Sequence, residues 1–124
     1  MHNGSSLYGA AVSRGPLTLC VLLWSHHGEE EGLSAYEDTV LSLLAEHGAV
    51  VASRVRRKDV GEGPLEVQVI EFRDRAALDA YTSDPRRLAS AELRERVVAR
   101  TDVFEVDRPP LTERGRRQVT SEDT

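Results

Sequence analysis

The sequence predicts an α+β domain of β-α-β-β-α-β order, with a four-stranded antiparallel sheet carrying its helices on one face. Three observations lead there. The run Leu65-Glu66-Val67-Gln68-Val69-Ile70-Glu71-Phe72 alternates as a half-buried strand does. Immediately after it the period changes, and Ala77, Leu78 and Tyr81 fall on one helical face that can fold back over the strand. Before it, the glycine-punctuated turn Asp59-Val60-Gly61-Glu62-Gly63-Pro64 joins a second alternating run as a hairpin, which makes that pair antiparallel.

Along the chain, residues 1–15 are rich in Gly, Ser and small side chains without a sustained period, and read as a mobile arm with Leu7 and Tyr8 available to dock. Residues 16–25 are apolar at nearly every position, so this first strand belongs at the centre of the sheet. His26-His27-Gly28 and three glutamates form the first loop. Ser34 and Glu37 then have the spacing of a capping box, which predicts a helix from there to about His47, ended by a left-handed Gly48. Tyr36, Val40, Leu43, Leu44 and His47 make its buried stripe.

The second strand covers residues 49–58 and alternates Val51, Ser53 and Val55 with Val50, Ala52, Arg54 and Arg56. After the third strand, Asp74 caps one helix. Asp84-Pro85 starts another, carrying Leu88, Ala91, Leu93 and Val97 inward. Residues 101–106 form the last strand, and from Arg108 the chain is polar and Pro-interrupted, as a disordered tail is. The folded part is therefore residues 16–107, a ferredoxin-like split unit. Helices on one face leave part of residues 17–23 and 50–55 bare on the other, and a second copy is the simplest cover, so a homodimer is expected.

At 124 residues the chain supports one core. Its net charge of -5, without a basic stripe, argues against nucleic acid as a partner. No apolar run approaches the roughly 20 residues of a membrane span. Cys20 stands alone, which excludes an internal disulfide and fits a reducing, cytoplasmic setting. Phosphate-loop, nucleophile-elbow, CxxC and HExxH patterns are missing, so no cofactor or metal is called for.

The residues that carry chemistry each admit two readings. Glu66 and Gln68 share a strand face with Ile70 and Phe72, and with Phe72 beneath Tyr81 they point into the space between sheet and helices. A carboxylate there requires a partner, for which Arg54 or Arg56 on the neighbouring strand is the candidate. The cluster is either an active pocket or a structural ion pair near a sheet edge. His26 shares strand parity with Trp24 and reads as a general acid/base at the pocket mouth or as a solvated loop histidine. His47 reads as ordinary helix capping. Tyr36 and Tyr81 are phenol donors to a bound carbonyl or core residues with a wet hydroxyl. Arg86 and Arg87, behind Asp84-Pro85, face an anion or simply solvent.

The helix from Ala35-Tyr36 to His47-Gly48, the strand end Val69-Ile70-Glu71-Phe72, the helix Ala76-Ala77-Leu78-Asp79-Ala80-Tyr81 and the turn Ser83-Asp84-Pro85 resemble the dimeric α/β-barrel superfamily. The nearer likeness is to small bacterial proteins of the DUF1330 type, beside the EthD-like and antibiotic-biosynthesis-monooxygenase branches. The resemblance implies two sheets packed into a barrel and a pocket in each subunit, used in such families for cofactor-free oxygenation, isomerisation, lactone chemistry, dehalogenation or haem cleavage. Quinone-forming oxygenases and haem degraders of this fold pair an asparagine with a tryptophan. Here Trp24 is present, but the sole asparagine is Asn3, in the arm.

The resulting expectation is a cytoplasmic homodimer of bacterial specialised metabolism that binds a hydrophobic, partly oxygenated small molecule. It would act without a cofactor, by acid–base cyclisation or isomerisation or by oxygenation. Glu66 or His26 would be the base and Arg54 would hold an oxyanion. Trp24, Tyr36, Gln68, Phe72 and Tyr81 would shape the binding walls. The alternative is a non-catalytic binding or assembly module whose polar pocket is structural.

Overall fold

The apolar run that opens the domain becomes strand β1, Leu17–Ser25, and takes a central place in the sheet. The computed structural model describes residues 15–112. Strand β2 is Ala49–Arg56, β3 is Glu66–Phe72 and β4 is Val98–Glu105. Their order across the sheet is β2-β3-β1-β4, with every pairing antiparallel. The split β-α-β-β-α-β arrangement is therefore present as an α+β, ferredoxin-like fold. The expected arm lies almost wholly outside the described residues, as does most of the expected tail.

The first helix, α1, spans Glu30–Leu41 and starts four residues before the expected Ser34 cap. Burial explains the shift. Leu33 is fully enclosed, so the apolar stripe begins there, and Glu30 and Glu31 suit the positive end of the helix dipole. Ser34 and Glu37 consequently sit inside the helix and form no capping box. After Leu41 the chain tightens into a 3₁₀ turn, Leu44–His47, which Gly48 ends in the left-handed conformation at φ 69°. Gly32 is needed for a different reason. A Cβ there would come within 3.0 Å of the Val97 side chain, where α1 passes the later helix.

Helix α2, Arg75–Thr82, is capped as the sequence indicates, with the Asp74 carboxylate accepting from Ala77 N at 2.9 Å. Helices α3, Pro85–Leu88, and α4, Ala91–Val97, divide what reads as one segment. Of its expected apolar residues only Val97 is buried, while Leu88, Ala91 and Leu93 are exposed. Strand β4 begins at Val98, three residues early, because Val97 and Val98 both enter the core and the chain passes straight from helix to strand.

The core lies between the sheet and the helices. One part gathers Leu17, Leu19, Ile70 and Phe72 beneath Leu44, Ala77, Leu78 and Tyr81. The other gathers Leu23 and Leu65 with Leu33, Tyr36, Val40, Val97 and Val98. Among the described residues no helix covers the opposite sheet face. Alternation and register place Cys20, Leu22, Trp24, Val67 and Val69 there, half-buried, with Val50, Val55 and Phe104 exposed.

Strand β2 departs from simple alternation. Val51 pairs with Ile70 and Ser53 with Val69, leaving Ala52 as an extra residue, a β-bulge. Plain alternation would put Arg54 and Arg56 on the face of Val50. The bulge moves them to the other side, opposite Gln68 and Glu66.

Candidate functional site

Strand β3 alternates strictly, so burial of Ile70 and Phe72 under the helices carries Gln68 and Glu66 in with them. Each of those two polar side chains is about 1% exposed. The Glu66 carboxylate is saturated. Arg54 holds it in a two-point grip, Nε to Oε1 at 2.8 Å and Nη2 to Oε2 at 2.9 Å. Ser34 Oγ donates to Oε2 at 2.6 Å, and Gln68 Nε2 donates to Oε1 at 3.1 Å. Arg54 is anchored in turn by Asp38 at 2.7 Å and by the Ser34 carbonyl at 3.1 Å. Burial would raise the pKa of Glu66, but hydrogen bonds from Arg54, Ser34 and Gln68, with the Arg54 charge, bring it below the ordinary value.

Gln68 also donates to a second carboxylate, Glu37 Oε1 on α1, at 3.0 Å. Glu37 is buried, and burial is the largest influence on it. Neither the Gln68 hydrogen bond nor the more distant Arg94 and Arg54 charges cancel that influence, and the Glu66 charge adds to it, so its pKa is raised. Two glutamates joined by one amide are thus driven in opposite directions.

Glu37 and Gln68 line a cavity of about 150 Å³ between the sheet and the helices. Its apolar floor comes from Leu19, Val21, Leu23, Ile70 and Phe72, and its polar wall includes Tyr81, Arg87, Arg94 and Thr101. The Arg87 guanidinium lies over the Tyr81 ring at 5.0 Å. Arg94 Nη2 donates to Thr101 Oγ1 at 2.7 Å. The Tyr81 phenol has its pKa raised by burial, with Arg87 pulling the other way.

The structure brings Gln68, Phe72 and Tyr81 together on the cavity wall, while Glu66, bonded to Gln68, and Arg54, bonded to Glu66, lie outside that wall. It separates the rest. Trp24 pairs with Arg100 on the face away from the helices, where Arg100 lies 4.3 Å over its ring and Nε1 donates to the Glu62 carbonyl at 2.9 Å. It forms no part of the cavity wall. His26 lies past the end of β1 and is exposed, its Nε2 3.1 Å from the Glu95 carbonyl, and it is not among the residues that line the cavity. Trp24 faces the open side of the sheet, while β1 ends at Ser25, so strand parity does not place His26. Tyr36 is buried among Leu23, Leu33 and Val97, beside the cavity rather than on its wall. His47 hydrogen-bonds Asp84 at 2.7 Å, and Arg86 grips both Asp84 and Glu46, a structural cluster tying α3 to the 3₁₀ turn. Among the described residues no group of His, Cys, Asp and Glu is arranged to hold a metal.

Sequence reasoning missed Glu37, Arg94 and Thr101 as cavity residues and assigned Ser34 to a cap. One signal for Glu37 was present. With the helix begun at Glu30, Leu33, Glu37, Val40 and Leu44 follow a helical repeat, which leaves a carboxylate inside an apolar stripe.

The sequence matches the family model described as a domain of unknown function, DUF1330, over residues 22–107. No curated protein matches. Among solved structures, a protein of unknown function from Rhodopseudomonas palustris aligns with TM-score 0.64 and 15% identity, covering 89% of this chain and 95% of its own. A dimeric protein of unknown function with a ferredoxin-like fold from Bacteroides fragilis aligns with TM-score 0.58 and 14% identity, covering 77% and 99%. SnoaB, a cofactor-independent oxygenase from Streptomyces nogalater, aligns with TM-score 0.59 and 14% identity, covering 80% and 99%. At such identities the likeness is one of fold.

Proposed function

The chain belongs to the DUF1330 family, and from that premise we propose that it binds a small, partly oxygenated molecule in the cavity and moves a proton on it, with Glu37 as the acid–base group. One observation carries this reading: a buried carboxylate of raised pKa on the wall of an otherwise largely apolar cavity. Glu66 is unsuited to the role, since both its oxygens are occupied and its charge is stabilised. Its part is to orient Gln68, which then fixes Glu37. Arg54 is spent on Glu66 and Asp38, so it is not free to hold an oxyanion.

The chemistry that suits this arrangement is enolisation, and from it isomerisation or cyclisation, without a cofactor. Glu37 in its carboxylate form takes a proton from carbon beside a carbonyl and returns it at another position. Oxygenation, the activity of the Streptomyces nogalater neighbour, is a second reading, favoured by the shared fold. An oxygen-uptake measurement separates the two. A non-catalytic module accounts for Glu66 and Arg54 but leaves the raised pKa of Glu37 without a use.

The test is deuterium uptake at the α-carbon of cyclohexanone, followed by NMR. The protein accelerates exchange over buffer, and Glu37→Gln lowers the enzymatic rate by about 100-fold or more while leaving the fold intact. Equal exchange with both proteins, or none above buffer, overturns the assignment. This reading includes a homodimer built on the open sheet face, supported by exposed Val50, Val55 and Phe104 and by the dimeric Bacteroides fragilis neighbour. It also includes a cytoplasmic setting, which suits the free thiol of Cys20.

A further inference from the structure

Most arginines elsewhere among the described residues are matched to carboxylates, while Arg57 bonds to the Asp59 and Gly63 carbonyls. Arg54 pairs with Glu66 and Asp38, Arg56 with Glu31, and Arg86 with Asp84 and Glu46. The two arginines of the cavity wall differ. Among the described residues neither Arg87 nor Arg94 has a carboxylate within ion-pair distance. Arg87 Nε is moreover buried with no hydrogen-bond acceptor, which is a costly way to leave a charged donor. Stacking on Tyr81 holds the guanidinium plane in place, and Thr101 holds Arg94.

The cavity wall thus carries two guanidinium groups against one carboxylate, Glu37, among the described residues. Its floor is apolar, and its volume of about 150 Å³ matches that of a cavity able to admit a single benzene-sized ring. We infer that the cavity selects a small monoanion, a carboxylate or enolate of about one ring's size, held by the guanidinium groups of Arg87 and Arg94 on its wall. This rests on the proposal that the cavity is a ligand site and adds the charge and size of what enters. An enolate formed from a neutral ketone and a resident carboxylate share that chemistry, and both require the same donors.

Benzoate and benzamide, equal in size and different in charge, are the probes, titrated into the full-length protein by NMR or calorimetry. Benzoate binds about tenfold or more tighter than benzamide, as a charge-assisted hydrogen bond implies. Arg87→Gln brings the ratio close to one, and Arg94→Gln lowers it part of the way. Equal binding of the two probes to the native protein overturns charge selection while leaving the cavity as a ligand site. Binding of neither at millimolar concentration overturns the ligand site as well. A full benzoate preference surviving in Arg87→Gln removes Arg87 from the role. Should Arg87→Gln fail to fold, the native ratio and Arg94→Gln still decide the matter.

Discussion

Gln68 Nε2 donates to both Glu66 and Glu37, and the two carboxylates it joins have opposite protonation preferences. Removing charge therefore has opposite consequences at the two positions. Glu66→Gln loses charge-assisted hydrogen bonds, and we expect a cost of about 1.5–3 kcal/mol in urea denaturation. Arg54→Ala strands a buried carboxylate and costs about 3 kcal/mol or more. For Glu37 the folded pKa lies above the unfolded one, so the native protein loses stability as pH rises through the raised value. Glu37→Gln removes that loss. The variant's melting temperature relative to the native protein should climb as pH rises above the usual carboxylate range, and a flat difference would contradict the assignment. Glu66 has the reverse sign. Its lowered pKa gives stability present above the usual range and lost on acidification. The Glu66–Arg54 pair was legible because strand parity fixes the face and a buried charge demands a partner. Glu37 was not, because Ser34 and Glu37 satisfy a capping pattern as well as a mid-helix one. Trp24 was misread because parity says which residues share a face and not which face the helices cover, and His26 because the strand ends before it.

At the level of the element, the start of α1 is where local and tertiary preferences compete. A capping serine and a mid-helix serine respond differently to substitution. At an N-cap, glycine replaces serine at a cost of only a few tenths of a kcal/mol and alanine costs about 1 kcal/mol. Inside a helix the order reverses, with glycine worse than alanine by about 0.5–1 kcal/mol. Since Ser34 lies inside α1 and donates to Glu66, Ser34→Gly should melt below Ser34→Ala, and the opposite order would restore the cap. Asp74, a true cap, should lose about 1 kcal/mol on mutation to Ala. Caps such as Asp74 and Asp84 were readable because the bond is local. The helix break at Ser42 and the early start of β4 follow from what is buried beneath them, which no local pattern contains.

For the whole molecule, the decisive asymmetry is a sheet that the described residues cover on one side. Val50 is 57% exposed, Val55 56% and Phe104 46%, next to half-buried Leu22, Val67 and Val69. An apolar face of that kind is normally an interface. Light scattering at micromolar concentration should give twice the chain mass, and Val55→Glu with Phe104→Glu should give a monomer. A monomeric native protein would contradict the expectation. Because the cavity lies on the helix side of the sheet, the monomeric variant should keep its benzoate preference.

The extra residue in β2 has a further consequence, for solubility. This strand is at the edge of the sheet, where a regular run of unpaired backbone groups invites another chain to add on. Ala52 interrupts that run. Its deletion would let Val51 be followed by Ser53 in unbroken pairing, with Arg54 and Arg56 still facing Gln68 and Glu66. The shortened protein should therefore retain its cavity and its melting temperature to within a few degrees, yet form growing particles on concentration where the native protein does not. One alanine with no part in the chemistry would then decide whether the concentrated protein stays in solution.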